Sequence, residues 1–217
     1  MPLPLLIDCD PGTDDAVALM LALASPEALD VRAVTTVGGN VPLDLTTDNA
    51  RRLVELAGRP DVPVAAGCPG PILRRLQSAR DVHGADGLGG IVLPPAAVAP
   101  VADHAVDLIV ETARAVDGLT VAMLGPMTNL AVALVKAPDV AARIAAVVFM
   151  GGTIGPGNVT PHAEFNVYVD PHAAAVVLGS GIPQTMIGLN LTHQVLANPA
   201  RAAAVAAITA GPARAVA

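Results

Sequence analysis

Short apolar, β-prone runs alternate with helix-patterned segments along nearly the whole chain, and this alternation restricts the fold more than any other feature. The runs fall at about Leu5–Cys9, Val31–Val37, Pro63–Ala66, Leu119–Leu124, Ala146–Met150 and Gln184–Gly188. Helical patterns lie between them at about Asp14–Ala24, Leu43–Ala57, Ala105–Val116, Met127–Val135 and Pro171–Gly179. A strand that is apolar on both sides needs cover on both sides, and a helix after each strand supplies it. The expected fold is therefore α/β, a mostly parallel, Rossmann-like open sheet flanked by helices. Residues 1–217 show no internal repeat and no shift in composition, so they are expected to form a single domain.

Composition bears on where the apolar residues go. Hydrophobic residues make up 53% of the chain and charged residues 14%, with a mean hydropathy of +0.59. The runs Ala16–Ala24 and Ile144–Met150 nevertheless end in Ser-Pro and Gly-Gly. That is well short of the roughly 20 residues a spanning helix needs. No membrane partner is expected, and the excess belongs to buried strands. Net charge is −7, and Arg51-Arg52 and Arg74-Arg75 are isolated basic pairs, so no nucleic-acid partner is expected. Cys9 and Cys68 match no paired metal or redox spacing. They read as reduced thiols of a cytoplasmic protein. The N-terminal MPLPLLIDCD carries no secretion pattern.

The stretch at about 68–100 breaks the rhythm. It is rich in Gly, Pro and Arg and includes RDVHGADGLGGIVLPP, the composition of a functional loop or a mobile surface insertion. The tail RAAAVAAITAGPARAVA starts like a helix, with no closing strand after it.

The first strand runs into DCDPGTDD, which sets Asp8, Asp10, Asp14 and Asp15 within eight positions. Four carboxylates this close repel one another and lose hydration when buried. Acidic residues at a helix N-terminus explain Asp14 or Asp15 alone. Explaining all four calls for a hard divalent cation, Mg²⁺ or Ca²⁺, at the carboxyl end of a strand, where open α/β sheets bind ligands. Cys9, between two of the acids, is expected to face the opposite side and pack in the core. An EF-hand does not fit: counted from Asp8, Gly12 is fifth and Leu19 occupies the twelfth place. A haloacid-dehalogenase-like phosphatase would use Asp8 as nucleophile and Asp10 as acid/base, but Gly12 stands where it carries Thr or Val.

DCDPGTDDAVALMLAL closely resembles the N-terminal motif of the inosine–uridine-preferring nucleoside hydrolases. The resemblance continues through TTVGGN (35–40), VPVAAG (62–67), HGADGLG (83–89), GPMTNLA (125–131), VVFMGG (147–152), GNVTPHAEFNVYVDP (157–171) and GLNLTH (188–193). It implies hydrolysis of the N-glycosidic bond of a ribonucleoside to ribose and free base. It also implies Ca²⁺ bound to the ribose 2′- and 3′-hydroxyls and to the attacking water. By position, Asp10, Asp15 and the carbonyl of Leu124 would hold the metal, and Asp10 would be the general base. Asp14, Asn40, Asn158, Glu164 and Asn166 match positions used around the ribose, where amides and carboxylates suit a diol. Met150 would line the sugar pocket and His83 would reach the substrate once its loop closes. By residue type alone, turn chemistry is the better account of Asn158 and Asn166, core packing of Met150, and solvation of His83. His104, His162, His172 and His193 form no paired zinc spacing.

Relatives of this kind continue beyond the span present here, with a further metal-ligating Asp and an adjacent His. Asn190 also stands where many carry Asp. The resemblance thus implies either a Ca²⁺-dependent hydrolase, expected as a homodimer or homotetramer, or a truncated, weak or inactive homologue that binds ribosides or metal only. A site short of one carboxylate would hold Ca²⁺ more weakly. The role of Asp8 and the base preference stay open.

Overall fold

The structure, a computed structural model, describes residues 1–208. Its strands are β1 (Leu3–Cys9), β2 (Leu29–Thr36), β3 (Val64–Ala66), β4 (Leu119–Met123), β5 (Ile144–Met150) and β6 (Gln184–Ile187). The helices are α1 (Thr13–Leu23), α2 (Leu43–Leu56), α3 (Arg80–His83), α4 (Ala105–Ala115), α5 (Thr128–Lys136), α6 (Phe165–Val169), α7 (Pro171–Leu178), α8 (Leu189–Thr192) and α9 (Pro199–Ala206). A 3₁₀ turn spans Pro138–Ala142. The six strands form one sheet in the order β3-β2-β1-β4-β5-β6. Every neighbouring pair is parallel, which goes further than the expected mostly parallel sheet. Chain order reverses between β1 and β4, and the crevice beyond their carboxyl ends is the place where such sheets take ligands.

Side-chain alternation along β1 explains the two core layers. Leu5, Ile7 and Cys9 pack with Leu19 and Leu23 of α1 and Leu53 and Val54 of α2. Leu6 points the other way, into a layer with Ile109 of α4, Leu130 of α5 and Val177 of α7. Cys9 is therefore buried on the face opposite Asp8, as the two-residue period of a strand requires, and both cysteines are free. Pro171 opens α7, and the Asp170 carboxylate caps it by accepting the Ala173 N–H at 3.0 Å.

The stretch at 68–100 is not a loose insertion. Ile72 N–H donates to Asp170 Oδ2 (2.9 Å), and the Arg74 guanidinium donates to the Tyr168 carbonyl (2.6 Å) while lying 5.1 Å from the ring centroid. Farther on, Glu55 of α2 accepts the N–H groups of Ala97 (2.9 Å) and Val98 (2.6 Å), and Arg51 donates to the Val98 carbonyl (2.8 Å). Leu88 and Leu93 are buried beneath. The composition suggests mobility because it lacks regular periodicity; the partners that fix this strap are on α2 and at the junction of α6 and α7, and local sequence does not reveal them. Val101 N–H then donates to the Val64 carbonyl (2.9 Å), which covers part of the β3 edge.

α9 takes up the start of the helix-like tail, and 209–217 lie outside the described residues. Among the described residues, no helix is long and apolar enough to cross a membrane.

Candidate functional site

The acidic turn sits at the β1/β4 reversal. Asp8 Oδ1 accepts hydrogen bonds from Thr35 Oγ1 of β2 (2.5 Å) and Asn129 Nδ2 of α5 (2.8 Å). Asp10 Oδ2 accepts the Asn40 N–H at 2.7 Å. Asn40 Nδ2 reaches back to the Asp10 carbonyl (3.0 Å) and to Asp15 Oδ2 (3.4 Å), which also accepts the Gly12 N–H (3.1 Å). Asp10 is crowded on two sides. A Cβ on Gly39 would lie 2.0 Å from Asp10 Oδ2, and one on Gly125 would lie 2.4 Å from Oδ1. Only glycine lets these backbones come so close.

Asp8 and Asp10 are 0% exposed and Asp15 5%. Each keeps one oxygen without any partner: Asp8 Oδ2, Asp10 Oδ1 and Asp15 Oδ1. Among the described residues, no Lys or Arg forms an ion pair with them. Burial pushes the Asp8 carboxyl up to about 7. Burial, then the neighbouring Asp14 charge, pushes Asp15 up to about 7. Burial and the Asp15 charge hold Asp10 well above the usual carboxylate range.

Stranded acceptor oxygens in a dry setting suit a hard cation, which would supply the missing charge. Among the described residues, no group of three His, Cys, Asp or Glu side chains is placed to hold a metal ion. An ion here would have to take Asp10, Asp15 and oxygens that are not carboxylates. The Leu124 carbonyl at the end of β4 is one; it accepts Asn166 Nδ2 at 2.8 Å and retains a second lone pair. The donor set fits such an ion with low ligand charge.

These shifts give a pH dependence whose sign follows from linkage. A carboxyl whose folded pKa lies above its ordinary 3.8, here about 7, binds more protons folded than unfolded between those values. Its contribution favours folding at low pH and is lost as pH rises through about 7. The melting temperature in a chelator is expected to fall from about pH 5 to about pH 8, against the usual trend for paired surface carboxylates. A flat or rising profile would show that the acids are solvated or paired.

The other residues of the site gather above this turn. Asp14, Asp15, Asn40, His83, Leu124, Met150, Asn158, Glu164 and Asn166 all line one cleft of about 180 Å³, and Asp10 lies beneath it as the partner of Asn40. A wider hollow of about 480 Å³ shares Asp14, Asp15, Leu124 and Met150 and opens past Leu191 and Val195. Asp14 has its side chain 79% exposed, free to meet a ligand. Asn166 Nδ2 also donates to the Met150 carbonyl (3.1 Å), tying the ends of β4 and β5 together. Asn158 Oδ1 accepts the Phe165 N–H (2.9 Å), so the turn reading and the cleft position both hold for it.

Two residues make contacts that the sequence does not reveal. Glu164 lines the cleft, yet its oxygens accept the N–H groups of Asn166 (2.9 Å), Val167 (3.1 Å) and Gly152 (3.0 Å), which makes it the cap of α6. His83 is held beside the acidic turn. It sits on α3, buried, with Nδ1 accepting the Thr13 N–H at 3.3 Å and lying 3.9 Å from Asp14 Oδ1. Sequence reasoning does not single out Thr35 or Asn129. Asn129 is fully buried; it donates to Asp8 and to the Thr36 carbonyl (2.9 Å) and accepts the Cys68 N–H (2.8 Å). An amide in the first turn of an otherwise apolar helix is the signal that could have found it.

A parallel sheet with a buried, uncompensated acidic turn at its reversal point puts the chain among α/β proteins of the doubly wound class, whose ligands bind at that point. The model of the inosine-uridine preferring nucleoside hydrolase family matches residues 5–217, and the chain belongs to that family. It is 50% identical to the pyrimidine-specific ribonucleoside hydrolase RihA of Salmonella paratyphi A, over 89% of this chain and 62% of RihA. An uncharacterised Schizosaccharomyces pombe protein is 49% identical over 94% of this chain and 66% of its own length. The chain thus spans somewhat under two thirds of these relatives. Among solved structures, a plant nucleoside hydrolase superposes with a TM-score of 0.94 at 37% identity, covering 100% of this chain and 69% of that one. The purine-preferring ribonucleoside hydrolase of Gardnerella vaginalis gives 0.93 at 32%, covering 98% and 69%.

Proposed function

We propose that this chain hydrolyses the N-glycosidic bond of ribonucleosides and that it does so with Ca²⁺ held by Asp10, Asp15 and the Leu124 carbonyl. The observation that carries this reading is the stranded pair Asp10 Oδ1 and Asp15 Oδ1 at the foot of a cleft lined by amides and carboxylates. Bound Ca²⁺ would neutralise the two acids and polarise sugar hydroxyls and water. Asp10 has one oxygen fixed by the Asn40 N–H and the other free, which suits it to take the proton from an attacking water. Exposed Asp14 is placed to accept from a ribose hydroxyl, and Asn158 and Asn166 present amide groups to the same sugar. Glu164 serves by shaping the wall. His83 uses Nδ1 as an acceptor, so in the neutral ring the proton sits on Nε2, available to a departing base.

The named relatives include pyrimidine-specific and purine-preferring enzymes, so the proposal stops at ribonucleosides. The same reading carries a homodimer or homotetramer. A binding-only protein is the second reading, favoured by the absence of a third acidic ligand among the described residues. Incubation with inosine, uridine and p-nitrophenyl riboside, with Ca²⁺ or with a chelator, separates them. Metal-dependent ribose release is expected. Calorimetric binding of Ca²⁺ or ribose without turnover would establish the second reading, and phosphate release from a phosphomonoester would overturn both.

A further inference from the structure

Asn49 belongs to α2, outside the cleft, and is 6% exposed. Its amide donates in two directions, to the Pro11 carbonyl (3.3 Å) and to the Asp86 carbonyl (2.8 Å). Pro11 is the middle of the acidic turn, between Asp10 and Gly12. Asp86 closes the segment that carries His83. One side chain therefore joins the acidic turn to the segment that carries His83.

The segment after His83 is a tight knot built on that junction. Asp86 Oδ1 accepts the N–H groups of Leu88 (3.0 Å) and Gly90 (3.2 Å), and Gly89 N–H returns to the His83 carbonyl (2.9 Å). Gly87 adopts φ +89°, and a Cβ there would lie 3.0 Å from both Asn49 Nδ2 and the Pro11 carbonyl. The knot is thus pressed against the Asn49 bridge, while at its other end His83 Nδ1 accepts from Thr13 at the start of α1.

We propose that Asn49 is a positioning residue: by bridging Pro11 and Asp86 it sets His83 at a fixed place over the acidic turn. The proposal rests on the nucleoside-hydrolase reading for its effect on rate, but the placement itself is measurable without turnover. In Asn49→Ala, amide exchange across 83–90 is expected to quicken about fivefold or more, the factor carried by one neutral hydrogen bond. With Ca²⁺ present, kcat/KM for inosine or uridine, whose bases need a proton to leave, should fall about tenfold in the wild-type background and hardly at all in His83→Ala, because coupled residues are not additive. A residue that only supports the fold would give the same loss in both backgrounds.

Unchanged exchange at 83–90, or equal losses in the two backgrounds, overturns the proposal. Gly87→Ala strains the same junction from the loop side and should reproduce both effects, which keeps the test decisive should Asn49→Ala fail to fold. Where the wild-type chain cleaves no riboside, the functional reading fails, and the exchange result alone upholds or overturns the positioning.

Discussion

Asp10→Asn is expected to lower Ca²⁺-dependent ribose release by about 10³-fold or more while making the cation-free protein more stable. The two effects share one cause. Asp10 is fully buried, has no partner for Oδ1, and feels the Asp15 charge. An amide of the same shape still accepts the Asn40 N–H through its oxygen, but it carries no charge to desolvate and takes no proton from water. The melting temperature in a chelator at about pH 8 should therefore rise, by about 2–4 °C for each kcal/mol of burial relieved. Added Ca²⁺ should raise the melting temperature of the wild type and do little for the variant. A variant that melts no higher than wild type would show that Asp10 is not strained, and one that keeps its activity would show that Asp10 is not the base.

Gly39→Ala is expected to remove about 10²-fold of activity without replacing any side chain of the cleft, the scale of a displacement of about 1 Å at a reacting group. The new Cβ would lie 2.0 Å from Asp10 Oδ2 and 2.8 Å from its Cγ, separations that real Cβ atoms do not adopt. Either the Asp10 carboxylate swings away or the 38–40 backbone retreats, and both break the Asn40 N–H contact that orients the acid. Gly58→Ala is the control. That glycine has φ +72° at the end of α2 and open space around it, so alanine there should cost about 1 kcal/mol of stability and leave kcat/KM unchanged. Steady-state kinetics and denaturant unfolding of both variants decide the matter. Equal activity losses in the two would mean that Gly39 matters only for folding.

The sheet and the acidic turn are legible in the sequence because both rest on local patterns. A two-residue alternation in Leu5–Cys9 and a strand-then-helix rhythm are read within a few residues, and DCDPGTDD states its own electrostatic problem. Helix ends differ from the periodicity by a residue, as with α1 beginning at Thr13 and α5 at Thr128. The strap is less legible, since its anchors Glu55, Arg51 and Asp170 lie far away in the chain. The capping bonds of Glu164 stay hidden because position within a motif does not tell which hydrogen bonds a carboxylate has already made. Asn129 stays hidden for the converse reason: its partners Asp8, Thr36 and Cys68 come from three separate segments.

The central place of β1 has a consequence for the order in which this protein assembles. Leu5 pairs with Val31 on one side but with Thr120 on the other, across more than half the described chain. The Leu124 carbonyl comes within reach of the acidic turn only after that long closure, whose entropy is spent before any contact repays it. A nascent chain ending before β4 thus holds the acids without the oxygen that completes their setting. Any ion bound there would stabilise only chains in which β4 has already paired with β1.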